Sequence, residues 1–376
     1  MTKGDTLSLR NSVKSLPLSF SVVIPAYNEE ESIAACLESV LNQTVTPDRI
    51  VVVNDGSTDR TREILERYAD RVLIVDLNRN TGNKALALRE ALPFLVGDVV
   101  VYTDADSELE PDAFEKVISH FFDPRVGGVS GNVWSRRHNI LTGIRQLQYI
   151  VGQEIYKRGM SVINTVMVIP GCVGAVRREM FDPSPDTITE DMDLTLSVIK
   201  KGYAVVYNPE AVAWTSDPPN LRSYINQTRR WFSGFFQNMR KHFSELPWRI
   251  KIQMVFLSLE NVLFSMAAAM MVLLGLLDMD VLAPLLFLAA DHLSWAVIAI
   301  YGSITRKRRD LLKSVPLMLL SRFVDNFIWI YAMFSELVFR RRDLNWHRAD
   351  RFDLKSMRTN TGIFVGIRSR RRAPTE

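Results

Sequence analysis

The chain has 376 residues, 47% of them hydrophobic, a formal net charge of +4 and a mean hydropathy of +0.01. That length holds two ordinary domains, and the hydropathy is high for a wholly soluble enzyme, so apolar residues are concentrated somewhere. No basic and aromatic module of the kind that binds DNA or RNA is present; Lys and Arg cluster beside apolar segments in the last third, which suits an anionic membrane surface.

Two cysteines, Cys36 and Cys172, lie in apolar contexts without metal-ligand spacing, so a reduced, cytosolic setting is expected for the soluble part. Residues 1–17 are polar and lack the apolar core of a signal peptide. In chain order, residues 20–24 read as a short strand broken at Pro25, Ala26, Tyr27, Asn28 and Glu29, followed by helical spacing of Ile33, Leu37, Val40 and Leu41. Residues 50–53 form a second apolar run ending at Asn54, Asp55, Gly56 and Ser57, with a helix over 61–68. The unit repeats with a strand at 72–75, a loop over 78–83 and a helix over 84–95. Residues 99–102 are an apolar run that stops at Asp104-Ala105-Asp106. Four strands alternating with helices predict an α/β, Rossmann-like, mainly parallel sheet whose loops at one edge carry Tyr27, Asp55, Lys84 and Asp104 together.

Two carboxylates two residues apart at a strand exit can reach one hard divalent cation, Mg2+ or Mn2+, that is also held by substrate phosphates. Read singly, Asp104 and Asp106 are caps of the following helix, where Pro111 suits a first position; Asp55-Gly56-Ser57 is a turn, and Lys84 a solvated lysine. Converging on one sheet edge, they form a nucleotide pocket. Neither G-x-x-x-x-G-K-[ST] nor G-x-G-x-x-G occurs, so phosphate binding rests on a metal and basic side chains.

Seven motifs follow in order: Ile24-Pro25-Ala26-Tyr27-Asn28-Glu29, Asn54-Asp55-Gly56-Ser57, Gly82-Asn83-Lys84-Ala85, Asp104-Ala105-Asp106, Gly171-Cys172-Val173-Gly174-Ala175-Val176-Arg177, Thr189-Glu190-Asp191 and Gln227-Thr228-Arg229-Arg230-Trp231. Through them, over residues 20–342, the chain resembles the family 2 glycosyltransferases of the GT-A fold. Within that family it resembles the membrane-bound processive branch, the synthases of poly-N-acetylglucosamine, hyaluronan, chitin-like oligomers and cellulose. The resemblance implies that Pro25, Tyr27, Glu29, Asp55 and Lys84 hold the uridine and diphosphate of a UDP-sugar, and that Asp104 and Asp106 hold the metal.

In the acceptor half, residues 126–134 and 166–169 read as strands and 139–156 as a long helix with an apolar stripe of Ile140, Ile144, Leu147 and Ile150. Gly171 and Cys172 allow a close backbone approach and leave room for an acceptor sugar. Thr189-Glu190-Asp191 opens a helix over 192–200, where acids are also favoured by the macrodipole. An inverting transfer uses a positioned base to take the proton of the attacking hydroxyl. The resemblance assigns that role to Asp191, with Glu190 in support. Trp231 lies on a helical run over 221–236 that also suits an interfacial amphipathic helix, with Trp231 as a headgroup anchor. Beside Thr189-Glu190-Asp191 the other reading prevails: Trp231 stacks on the acceptor sugar, with Gln227 on its side, while Arg230 with Gln227 neutralises or hydrogen-bonds the departing diphosphate. This motif also marks enzymes that add one sugar to a lipid, so it supports the chemistry without proving a polymer.

From residue 252 the composition changes. Residues 252–277, 281–301 and 314–339 are each long enough to cross a hydrocarbon core. Basic flanks place both ends of the first two on the cytosolic side. The third carries Arg322, Asp325 and Asn326, and either spans, re-enters or lies at the interface. Glu260, Asn261, Asp291, His292, Arg322 and Asp325 are costly in lipid and should face one another or a wet path. Residues 346–362 and 368–372 are too polar to insert.

The expected organisation is a polar tail (1–18), a GT-A domain (19–240), interfacial and transmembrane helices (241–342) and a basic tail (343–376). The expected activity is inverting, metal-dependent transfer of a sugar, N-acetylglucosamine, from a UDP-sugar to the end of a growing β-linked polysaccharide. The alternative is a single addition to a lipid acceptor. Expected partners are the nucleotide sugar, a glycan or lipid-linked acceptor, the membrane, and export or accessory membrane subunits, without nucleic acid. The expected location is the inner (plasma) membrane, multi-pass, with the catalytic domain cytosolic.

Overall fold

A computed structural model of the chain describes residues 18–136 and 139–340; the predicted tail at 343–376 and all of the predicted tail at 1–18 but Leu18 lie outside the described residues, as do Arg341 and Arg342. The β-branched runs at β1, β2 and β4 become buried strands because helices pack on both faces of the sheet, whereas the edge strand β3 is only partly buried. They are β1 (Phe20–Ala26), α1 (Ile33–Leu41), β2 (Arg49–Asn54), α2 (Thr61–Glu66), β3 (Leu73–Asp76), α3 (Lys84–Glu90) and β4 (Val99–Tyr102). There follow β5 (Glu108–Leu109), α4 (Ala113–Ile118), β6 (Val126–Ser135), α5 (Ile140–Ile150), α6 (Arg158–Val162), β7 (Gly174–Arg177), α7 (Glu190–Lys200), β8 (Ala204–Thr215) and α8 (Leu221–His242).

The eight strands form one sheet in the order β3-β2-β1-β4-β7-β6-β8-β5. β3, β2, β1 and β4 run parallel, as do β6 and β8; β7 is antiparallel to both β4 and β6, and β5 to β8. This is a mainly parallel, mixed sheet with one antiparallel strand at its centre. Two departures from the sequence reading concern the second half. Residues 166–169 are buried but form no strand: the Ile169 N–H goes to the Thr195 hydroxyl at 2.9 Å instead of to a ladder. β8 was not anticipated, because Asn208-Pro209-Glu210 interrupts its alternation.

α5 begins with a reciprocal cap between Asn139 and Thr142 and runs through a π-helical turn, Val151–Lys157, into α6. α8 is capped by Asn220, whose side chain accepts from the Ser223 N–H, and continues to His242, so a boundary at 240 cuts a helix. The break in helical structure falls at 243–247.

The remaining elements are α9 (Trp248–Leu276), α10 (Leu282–Thr305) and α11 (Val315–Met333), the last extended by a π-helical turn, Phe334–Val338. All three segments are long and apolar enough to cross a membrane, by length and composition. Their roots are packed on the sheet domain: Ile250 and Met254 of α9 join the core beneath β2, β4 and α7, and Ala299 of α10 packs with Ile144, Leu147 and Ile150 of α5. α11 lies along α5 and α8. Asp325 accepts from Tyr224 Oη at 2.8 Å and Gln148 Nε2 at 2.7 Å, Trp329 meets Phe236 at 4.9 Å between ring centroids, and Glu336 accepts from Gln237 Nε2 at 3.0 Å. Its opposite face exposes Leu320, Phe327 and Val338. The third segment therefore docks one face on the domain and turns an apolar face outward.

The polar groups of these helices do face one another. Arg322 of α11 binds Asp291 of α10 through Nε and Nη2, each at 2.8 Å, and Glu260 of α9 at 2.8 Å. Asn326 Nδ2 donates to the Asn261 carbonyl at 3.0 Å, and His292 Nε2 lies 3.1 Å from the Leu319 carbonyl. Pairing of this kind removes much of the cost of placing charge among apolar helices.

Candidate active site

A cavity of about 1100 Å3 runs across the exits of β1, β2 and β4, past the start of α7 and along α8. It is lined by all the residues singled out from the sequence: Pro25, Tyr27, Glu29, Asp55, Lys84, Asp104, Asp106, Gly171, Cys172, Glu190, Asp191, Gln227, Arg230 and Trp231.

At the β1 exit, Glu29 is buried and accepts from the Ser32 hydroxyl at 2.6 Å, while its own N–H donates to Thr61 Oγ1 at 2.7 Å. Asp55, at the β2 exit, accepts from Thr81 twice, from the N–H and from the hydroxyl, each at 2.9 Å. Burial pushes the Asp55 carboxyl up and these two bonds pull it back. Thr81 thus fixes the loop that leads into α3, a role no motif spelled out, although Thr81 immediately precedes Gly82-Asn83-Lys84.

Lys84 is the first residue of α3, whose N-cap Asn83 accepts from the Ala85 N–H. Its ammonium lies 2.5 Å from Asp104 Oδ1 and 2.8 Å from Glu190 Oε1. Burial acts to lower it, but the two carboxylates outweigh burial and hold the amine well above the usual lysine range. Gly171 stands against this pair: a Cβ there would sit 2.6 Å from Lys84 Nζ and 3.0 Å from Asp104 Oδ2. Cys172 Sγ donates toward Asp104 Oδ2 at 3.7 Å. Gly171 and Cys172 therefore pack against the Asp104 carboxylate.

Asp104 and Asp106 bring two carboxylates to one wall of the cavity, and no group of three or more His, Cys, Asp or Glu among the described residues is arranged to hold a metal ion. Two hard oxygen donors without a third protein ligand fit a Mg2+ or Mn2+ ion that completes its coordination with a diphosphate.

Asp191 stands one residue into α7. Burial and the neighbouring Glu190 push its carboxyl up to about 6, against the pull of Lys84 and of the Met192 N–H, which donates at 2.8 Å. A carboxylate of that strength is matched to proton abstraction near neutral pH. The start of α7 is pinned to α8, where Asn238 Nδ2 donates to Thr189 Oγ1 at 3.0 Å. Gly234 allows the approach, since a Cβ there would collide with the Thr189 side chain.

On the far wall, Trp231 is bracketed by Tyr149, at 6.4 Å between ring centroids, and by the Arg145 guanidinium, 4.7 Å from the indole centroid. Arg145 is buried, lies 4.1 Å over the Tyr224 ring and donates to Thr228 Oγ1 at 2.8 Å and Gln148 Oε1 at 3.0 Å. Sequence reading passed over Arg145, because nothing on α5 signals that it meets α8.

Residues 21–183 match the model of glycosyl transferase family 2. Over those residues the chain is similar to family 2 glycosyltransferases. It is 30% identical over 254 residues to an N-acetylglucosaminyltransferase of Azorhizobium caulinodans, a match covering 62% of this chain and 64% of that one. It is 30% identical over 229 residues to the poly-beta-1,6-N-acetyl-D-glucosamine synthase of Staphylococcus aureus, covering 59% of this chain and 55% of that one. The chain thus spans less than two thirds of either relative. A mannosyltransferase from Pyrobaculum calidifontis, solved in complex with GDP-Man and Mn2+, superimposes with a TM-score of 0.57 at 21% identity, over 83% of this chain and 88% of that one. That likeness gives the sheet domain a GT-A-like fold, which the C-terminal helices follow.

Proposed function

We propose that the chain is an inverting glycosyltransferase that moves a sugar, N-acetylglucosamine, from a UDP-sugar to the end of a growing β-linked glycan at a membrane. The observation that carries this reading is that Asp191, the Lys84–Asp104 pair and Trp231 line one cavity. Pro25, Tyr27, Glu29 and Asp55 line the end that takes the nucleoside. Asp104 and Asp106 would hold a Mg2+ or Mn2+ ion, which neutralises charge on the leaving diphosphate. Lys84 and Arg230 offer positive charge to the same group, and Asp191 takes the proton of the attacking hydroxyl while Glu190 keeps Lys84 in place. The choice of sugar is supported by the two N-acetylglucosamine-transferring relatives, and the metal by the Mn2+ complex of the fold neighbour. The apolar α9, α10 and α11 support a membrane setting, with the catalytic domain on the cytosolic face of the inner membrane.

A single addition to a lipid-linked acceptor has one specific observation in its favour. The cavity continues to Leu257 and Asn261 of α9 and to Trp329 and Tyr331 of α11, so an acceptor held among these helices reaches the same base. One experiment tests both readings. Membranes containing the full chain are incubated with a panel of nucleotide sugars, with Mn2+, Mg2+ or chelator, and released nucleotide and product mass are measured. Metal-dependent UDP release with a ladder of products supports the polymer, and a single product the lipid acceptor. No release from any nucleotide sugar overturns the reading.

A further inference from the structure

Asp217 follows β8, is 1% exposed and lines the cavity, yet it belongs to none of the seven motifs. Its Oδ1 accepts from Tyr149 Oη at 2.9 Å, while Oδ2 is buried with no hydrogen-bond partner among the described residues. Gln227 Oε1, on the same cavity, is also buried and unpartnered. Buried acceptor oxygens are nearly always satisfied, so two on the wall that carries Tyr149 and Trp231 point to a ligand that brings donors.

We infer that Asp217, oriented by Tyr149, is an acceptor-specificity residue that takes a hydrogen bond from a hydroxyl of the accepting sugar. This rests on the transferase reading above and goes beyond it by naming the class of acceptor. A pyranose supplies hydroxyl donors around its rim and an apolar face for Trp231 and Tyr149. A phosphate group at neutral pH offers oxygens that accept and repels a carboxylate, so a bare polyprenyl phosphate gives Asp217 Oδ2 no donor. Burial pushes the Asp217 carboxyl up, and Arg145 with the hydroxyls of Ser135 and Tyr149 pulls it back from the protein side. The acceptor is thus a sugar residue, whether it ends a glycan or is carried on a lipid.

The test uses the full chain in detergent or membranes with the donor found above. Acceptor KM, donor KM and kcat are measured with an oligosaccharide, its monodeoxy analogues, a glycolipid and bare polyprenyl phosphate. Asp217→Ala is expected to raise the acceptor KM about tenfold or more, the scale of one hydrogen bond to a charged group, with donor KM within about twofold. Asp217→Asn, which keeps a partner for Tyr149, raises it less. One monodeoxy acceptor raises the wild-type KM by a similar factor and brings no further rise in Asp217→Ala, a readout that a purely structural carboxylate would not give. Since the wild type alone reports the deoxy series, a poorly folding variant does not remove the test. Efficient use of bare polyprenyl phosphate, or an acceptor KM indifferent to every deoxy position, overturns the inference while leaving the transferase reading in place. Absence of transfer from any donor overturns both.

Discussion

The Lys84 ammonium stands 2.8 Å from Glu190 Oε1, so the first residue of α3 reaches the first residue of α7 across the cavity. Because the same ammonium is 2.5 Å from Asp104, one cation joins the Asp104 carboxylate to the segment that bears Asp191. Its charge also lowers the Asp191 carboxyl. Lys84→Met is therefore expected to move the acid limb of the kcat profile to higher pH and to raise donor KM about tenfold, as loss of a charge-assisted contact does. An acid limb that stays in place would show that Lys84 and Asp191 are not electrically linked.

As the proposed base Asp191 works only when ionised, and its carboxyl is held up to about 6. The base is present above that value and is protonated below it, so kcat should be level above pH 7 and fall as pH drops through about 6. Asp191→Asn should remove this limb and lower turnover at least about a hundredfold, with donor binding within a few fold. Donor binding is measured separately by nucleotide titration.

Asp104→Ala and Asp106→Ala should each weaken nucleotide-sugar binding in the presence of Mn2+ and abolish turnover, and chelator should do the same to the wild type. Calorimetric titration of UDP with and without metal checks this directly. Wild-type turnover that survives chelator would remove the metal from the mechanism.

Trp231 offers an indole held by Arg145 at 4.7 Å. Trp231→Ala should cost about 1 to 3 kcal/mol of acceptor binding, taking base stacking on aromatics as an upper guide, and so shorten the product distribution. Trp231→Phe should fall between, and Arg145→Met should reproduce part of the effect by releasing the indole. Product length is normalised to folded, membrane-bound protein; a shorter yield with unchanged length would mark Trp231 as a headgroup anchor instead.

Arg322 is shared by Glu260 and Asp291 from two other helices. Arg322→Met leaves both acids without that cation, and breaking such a pair from one side costs about 3 to 5 kcal/mol. A lower thermal midpoint in detergent is expected, with partial recovery when Asp291→Asn is added. Equal stability of the single variant and the wild type would contradict the pairing.

The β–α alternation, the motif-bearing strand exits and the three apolar segments were legible in the sequence, because each is a local property of a continuous run. A buried parallel strand must be apolar along its length, and its carboxyl end is where polar residues resume, so Asp55 and Asp104 announce themselves. The edge proposed to take the donor follows from that rule alone. The wall of Tyr149 and Trp231 does not: Asp217 finds Tyr149 across 68 positions and Arg145 finds Thr228 across 83, pairings that depend on where β8 and α8 are laid against α5. For the same reason the sequence determined that Glu260, Asp291 and Arg322 needed partners, whereas only the packing decided which. It also decided the place of α11. Hydropathy sums a segment without regard to direction, and only docking on α5 and α8 separates the face that carries Asp325, Trp329 and Glu336 from the face that carries Leu320 and Phe327.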